Sequence, residues 1–335
     1  MSRPKKNPHK FIVENYLFNH PSSIYNPSFK YFDSCFYGHN CNSFLTIYSE
    51  DCNYEIYNLT KNINSNSNQD NEKVFENLDG VISCRPVNLT IKNLTKIPVY
   101  YIDFLCVNKN KRKKGIAPKL IQTHEYNQRR LNKNIQVSLF KREGELVGIV
   151  PLVIFKNYFY NISIQLTSLS SQTFSQIKYV FVNKNNFYLF INFIIQYYYL
   201  FDCVAIVEPS NILQLIESEH IFIIIGIIDG NIISSFIFKD FNLTYESEKI
   251  LELSCSLIHP DYLSYIVELF SNSLSFINKK LLAKYLSIES ISNNCLLLQS
   301  FENINLLPKS TSQVAYFLYN YSLSPILPEK SFILI

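Results

Sequence analysis

The stretch Tyr101-Ile102-Asp103-Phe104-Leu105-Cys106-Val107, followed by Asn108-Lys109-Asn110-Lys111-Arg112-Lys113-Lys114-Gly115-Ile116-Ala117-Pro118, sets the reading of the whole chain. Its apolar part predicts a buried strand, its basic part a loop, and Gly115 the start of a helix. Backbone N–H groups and the positive helix end then converge beside five cationic side chains. Such a junction suits a multiply charged anion. The same residues also read as a solvated basic loop or a nuclear-import run.

Outward from this junction the chain repeats a pattern. Val74 to Leu78, Asp79-Gly80 and Val81 to Thr90 predict a hairpin ahead of a strand at Val99 to Val107. A helix from about Ile116 to Arg130 and a strand at Ile135 to Phe140 follow. In the second half, Ile221 to Ile228, Asp229-Gly230 and Ile232 to Phe238 again predict a hairpin, since Asp-Gly between β-branched runs marks a tight turn. A strand at Ile250 to Ile258, a helix from Asp261 to Lys280 and a strand at Tyr285 to Ser290 complete that half. The order is that of a pseudo-duplicated α/β protein, each half a hairpin, strand, helix and strand. The Asn- and Ser-rich run Lys61 to Glu72 predicts a solvated loop.

At 335 residues the chain has room for about two domains or fused lobes, at roughly 150 residues each. Hydrophobic residues make up 47% and charged residues 17%, which excludes a disordered chain or a coiled coil. A net charge of +4 places any basic function in a local cluster rather than over the whole surface, so no nucleic-acid partner is expected. The 7 glycines include no dinucleotide-binding or P-loop spacing. Behind the basic start, the apolar run Phe11-Ile12-Val13 is cut by Glu14, so export is not predicted, the 8 cysteines read as reduced thiols and the expected compartment is the cytoplasm. Asn185 to Phe201 carries no charge but is short, with Asn192, Gln196 and a tyrosine cluster, and predicts an amphipathic helix rather than a membrane span. Cys35, His39, Cys41 and Cys52 have zinc-binding side chains without the paired spacing of a structural site, so no metal is expected. Cys106 lacks a histidine partner nearby in sequence, and His124 and His259 are unassigned.

Arg112-x-x-Gly115-x-Ala117 is similar to the R-x-x-G-x-[GA] segment with which GNAT-type acyltransferases cradle the pyrophosphate of coenzyme A. More of the chain resembles one family with two GNAT-like halves, the N-myristoyltransferases. Phe104-Leu105-Cys106-Val107, Arg112, Ala117-Pro118, Leu120-Ile121 and Arg129-Arg130 follow its central signature, and His9-Lys10-Phe11 its His-Lys-Phe-Trp segment, with Ile12 in place of tryptophan. Gly80-Val81-Ile82-Ser83 and Pro86-Val87-Asn88 look like its hairpin, and Tyr316 to Tyr321 with Glu329-Lys330 like its closing segments.

The resemblance implies an α/β (α+β) fold of two fused pseudo-symmetric GNAT-like halves around one continuous twisted mixed sheet. It implies division into residues 1–170, which bind myristoyl-CoA, and 171–335, which bind peptide and carry the terminal carboxylate. The implied activity is transfer of myristate from myristoyl-CoA, a co-substrate with no prosthetic group beside it, to the α-amine of an N-terminal glycine. The implied oxyanion donors are the main-chain amides of Phe104 and Leu105, and the implied base is the C-terminal carboxylate of Ile335. The implied acyl-CoA site comprises His9, Lys10, Phe11, Ile102, Asp103, Phe104, Leu105, Arg112, Lys113, Lys114, Gly115, Ile116 and Ala117.

The chain departs from the family at several points. Lys113 stands at a serine position and Gly115 at a basic one, and Ser168 of Thr167-Ser168-Leu169-Ser170 replaces a histidine. Phe140-Lys141-Arg142-Glu143-Gly144 replaces Thr-Ala-Gly, and the end is one residue short, without the usual glycine. An acyl-CoA-binding relative without catalysis, or a GNAT enzyme for a shorter acyl group, would account for these departures.

Overall fold

The computed structural model describes residues 6–16, 23–50, 53–59, 78–94, 96–144, 148–162, 166 and 176–335. Two short helices open it, α1 (Lys6–Asn15) and α2 (Phe29–Ser34), on either side of β1 (Ser23–Tyr25). The strands β2 (Phe44–Ser49), β3 (Asn53–Asn58), β4 (Gly80–Ile91) and β5 (Ile97–Val107) follow. Helix α3 (Ile116–Leu131) then leads to β6 (Val137–Glu143) and β7 (Pro151–Asn161). The second half begins with β8 (Lys178–Phe181), α4 (Phe187–Tyr197), β9 (Cys203–Ile206) and α5 (Pro209–Glu217). It continues through β10 (Ile221–Ile228), β11 (Asn231–Tyr245), β12 (Glu248–Ile258), α6 (Ile266–Leu281) and β13 (Tyr285–Glu289). Helix α7 (Asn294–Asn303), β14 (Ser310–Tyr319) and β15 (Ser331–Leu334) close it.

The described strands form one mixed sheet, ordered β15-β9-β4-β5-β6-β14-β7-β13-β12-β11-β10-β8. The expected duplication is plain in it. β4 and β5 pair antiparallel, and β5 returns through α3 to the parallel β6. β11 and β12 pair antiparallel, and β12 returns through α6 to the parallel β13. The halves are laced together, because β14 lies between β6 and β7. The terminal strand β15 runs parallel to β9, which pairs with β4 of the first half.

Strand alternation divides the core. On β10, Ile221, Ile223 and Ile225 join an inner cluster with Phe11, Phe32, Phe190 and Ile212 from α1, α2, α4 and α5. Phe222 and Ile224 point the other way, into a cluster with Leu269, Phe270 and Phe301 from α6 and α7. A period-2 pattern with both faces apolar is what a strand covered on both sides requires.

The Asp229-Gly230 turn has φ 48° and 81°, the doubly positive pair of a two-residue hairpin. The first expected hairpin is described only in part. Val74 to Asn77 lie outside the described residues, and Gly80 opens β4 directly, opposite Tyr48 of β2 and Val107 of β5. The expected helix from Asp261 starts as a 3-10 turn, Pro260–Tyr265, before α6. The uncharged run near Asn185 folds as α4, and among the described residues no helix is long and apolar enough to cross a membrane.

Candidate functional site

β5 is broken where the sequence placed its chemistry. Val81 pairs with Cys106 and Ser83 with Asp103, so Ile82 alone faces both Phe104 and Leu105. This β-bulge lifts the two residues off the regular ladder. Phe104 sits at φ 50°, a left-handed conformation that a bulky side chain adopts only when its surroundings enforce it. Its ring, 1% exposed, is held by Tyr16 of the chain leaving α1 and by Tyr31, Phe32 and Phe36 of α2 and the turn after it. The released Asp103 carbonyl accepts the Ser83 hydroxyl at 3.1 Å. The Phe104 N–H donates to Asp103 Oδ1 at 2.8 Å. One of the two implied oxyanion donors is therefore engaged by the carboxylate next to it.

Burial pushes the Asp103 carboxyl above its ordinary range, against the pull of Arg85. Arg85, on β4, is buried with its Nη2 4.0 Å from Asp103 Oδ2 and its guanidinium 5.5 Å from the centre of the Tyr101 ring.

Beyond β5 the basic loop is fastened to α1. Arg112 Nη2 donates to Asn15 O at 2.6 Å and its Nε to Val107 O at 3.4 Å, while the Lys109 N–H donates to Asn15 Oδ1. Lys111 is held by Glu50 and Asp79, each at 3.0 Å. Arg112 thus gives its Nε and one Nη2 donor to main-chain carbonyls at the ends of β5 and α1. Lys113 and Lys114 are the exposed cations beside the helix start. Gly115 caps α3 at φ 76° with no side-chain cap, so the first turn, including Ile116 and Ala117, begins with open amides. The His9 Nε2 hydrogen-bonds Pro27 O at 2.8 Å and its ring packs on Phe29 and Phe32. Phe11 is core, and Lys10 faces solvent near Glu14.

Across the inner face, β15 brings Ile335 under cover, with its side chain 5% exposed. Lys239 Nζ, on β11, donates to Ile335 O at 2.8 Å. Charges continue along this face. Lys141 of β6 is paired with Glu289 of β13 and lies 6.0 Å from the Tyr316 ring. Burial alone would strip the Lys141 ammonium, but Glu289 raises its pKa well above the ordinary value. Glu252 of β12 is buried and accepts the Ser254 hydroxyl at 2.7 Å. His220, ahead of β10, stacks on Tyr31 with ring centres 3.6 Å apart and meets Asn242 Nδ2 at 3.1 Å.

Arg85, Lys141, Lys239, Glu252 and Glu289 were missed from sequence. Arg85 and Glu289 carried a signal, each being the lone charge of an apolar strand, whereas Lys141, Lys239 and Glu252 share their strands with other charges. Other candidates resolve into the scaffold. His124 Nδ1 and Thr46 Oγ1 share a buried hydrogen bond of 2.7 Å, and His259 caps the 3-10 turn through Asp261 N. Burial pushes the Cys106 thiol up to about 12. His39 binds Cys35 O at 3.0 Å, and among the described residues no three His, Cys, Asp or Glu converge as a metal site. Ser168 lies outside the described residues.

The fold is GNAT-like, two such units sharing one sheet. Residues 60–148 match the family model described as "Myristoyl-CoA:protein N-myristoyltransferase, N-terminal domain", so the resemblance to N-myristoyltransferases holds. Over its length the chain is similar to Saccharomyces cerevisiae N-myristoyltransferase solved with bound myristoyl-CoA, at 15% identity and a TM-score of 0.67, covering 96% of this chain and 81% of the yeast one. A second yeast structure with bound myristoyl-CoA gives 16%, 0.68, 96% and 77%. A tandem GNAT protein from the clavulanic acid biosynthesis pathway is similar at 7% identity and a TM-score of 0.59, with 96% and 95% covered. No curated protein matches the sequence.

Proposed function

We propose that this protein transfers myristate from myristoyl-CoA to the α-amine of an N-terminal glycine. The observation that carries the reading is the convergence of three parts on one sheet. These are the bulge at Phe104 and Leu105, the basic loop and open helix start that follow the same strand, and the covered main-chain oxygen of Ile335, read here as the carboxylate base. In this reading residues 1–170 hold the acyl-CoA and residues 171–335 supply peptide contacts and the carboxylate.

The acyl-CoA pyrophosphate lies against Lys113, Lys114 and the amides from Gly115 to Ala117, where backbone donors and cations suit phosphate oxygens. The thioester oxygen lies at the bulge. Negative charge developing there needs donors already aimed at it, and losing one typically costs about 100 to 1000-fold in rate. The Phe104 amide serves once Asp103 releases it. An α-ammonium gives one proton to the Ile335 carboxylate, and the neutral nitrogen attacks the thioester carbon. The C–S bond breaks with its electron pair on sulfur, and the second proton leaves on the CoA thiol. Arg85, Lys141 and Lys239 stand among the carboxylates of Asp103, Glu252, Glu289 and Ile335.

The test is mass spectrometry of a glycine-starting peptide incubated with the protein and myristoyl-CoA, beside an alanine-starting control. A myristoyl mass gain on the glycine peptide alone is expected. No gain, with myristoyl-CoA binding intact, replaces transfer with acyl-CoA binding, and preference for a shorter acyl chain replaces the donor.

A further inference from the structure

Among the charges of the inner face, Lys239 is partly buried and bonded to the main chain at Ile335, with Nζ 2.8 Å from Ile335 O. Nothing in the reaction as proposed above uses it. We propose that Lys239 is a positioning residue that shares the Ile335 carboxylate with the acceptor amine and holds that amine in its neutral, nucleophilic form. The inference rests on the proposed function, because it takes Ile335 as the group that meets the amine.

An ammonium beside a second ammonium raises the cost of the charged state, so a base bound there loses its proton more readily. The protein already contains such a base in the same field. His220 is pushed well below its ordinary value by burial, then by Lys239 and Arg85. The other charged and titratable groups around Lys239 come from every strand packed there. Asp103 of β5 and Glu289 of β13 feel it directly, as does the Cys255 thiol of β12, with Glu252 beside it. Arg85 and Lys141 add positive charge from β4 and β6. Lys239 also keeps the carboxylate from standing alone in the core before substrate arrives. An unpaired buried carboxylate would take up a proton and cease to be a base.

The experiment uses the full chain with Lys239→Met and Lys239→Arg. Single-turnover acyl transfer at saturating glycine peptide and acyl-CoA is followed against pH, because the rate from the bound complex reports the bound amine. Lys239→Met is expected to move the acid limb of that profile up by about one pH unit, while the limb of kcat/KM, set by the free peptide, stays in place. At neutral pH the methionine variant binds the peptide more tightly and turns over several-fold more slowly, and Lys239→Arg keeps the wild-type limb. A folded Lys239→Met with an unmoved limb overturns the inference and leaves the transferase reading intact. No transfer by the wild type overturns both.

Should the methionine variant fail to fold, the wild type carries the test. The nitrogen NMR titration of a labelled glycine peptide, bound with a non-cleavable acyl-CoA thioether, is expected to give an amine pKa below the free value of about 7.7 to 8.0. A value at or above the free one overturns the inference.

Discussion

The Phe104 amide donates to the Asp103 carboxylate beside it at 2.8 Å, while Arg85 waits 4.0 Å from the other carboxylate oxygen. The bulge is therefore coupled to a buried ion pair on the neighbouring strand. A buried pair adds little by itself, but removing one partner strands the other. Arg85→Met and Asp103→Asn should each lower stability by roughly 3 kcal/mol, and the double variant by less than the sum. Urea midpoints around this cycle measure the coupling. Additive losses would mean that the two side chains act independently.

Phe104 combines a ring that packs with a backbone angle that disfavours it. Phe104→Ala and Phe104→Gly both remove the ring, yet only glycine relieves φ 50°. The glycine variant should be more stable than the alanine variant by about 1 kcal/mol, reversing the usual order in a strand. Denaturant unfolding of the pair shows the sign.

The basic loop divides into structural and exposed cations. Arg112→Ala should loosen α1 and cost about 1 to 2 kcal/mol of stability, since it removes a charge-assisted bond to Asn15 O. Lys113→Ala with Lys114→Ala should leave the unfolding midpoint unchanged and weaken acyl-CoA binding about tenfold at low salt. Calorimetry at two salt concentrations, beside thermal melts, separates the effects.

Buried histidines set the acid limit of the fold. Burial drives His124 down to about 3 and His39 to about 4, while both titrate near 6.5 once unfolded. The unfolded chain therefore binds more protons between these values. Stability is complete above pH 6.5 and falls as the pH drops toward 3, by at most about 1.4 kcal/mol per pH unit for each histidine. His124→Gln should flatten this decline, read from urea midpoints between pH 7 and pH 4.

The base of the proposed reaction, the Ile335 carboxylate, is a group that an extension displaces. Adding two residues after Ile335 moves the charge away from Lys239 without touching the loop at Gly115. Transfer should fall by at least 100-fold while acyl-CoA affinity stays within about twofold of its original value. Unchanged turnover in the extended chain would remove Ile335 from the chemistry.

Much of this architecture is set locally and was therefore readable along the chain. Asp229-Gly230 between β-branched runs marks a tight hairpin, the uncharged run near Asn185 belongs to a helix, and Gly115 opens a helix where a strand ends. These are short-range constraints, each satisfied within a few residues. What tertiary structure decided was which distant groups meet. Nothing near Arg112 in sequence says that its donors go to Asn15, because that contact exists only once α1 lies across the end of β5. Charges such as Arg85, Glu252 and Glu289 sit in largely apolar strands, and alternation alone would send them to solvent. The sheet is covered on both faces, so they are buried against one another instead. Ile335 shows the same division. The apolar run Phe332 to Ile335 predicts a covered strand, but only the pairing of β15 with β9 carries the Ile335 main-chain oxygen to Lys239, since a main-chain group finds its partner through the packing of whole strands.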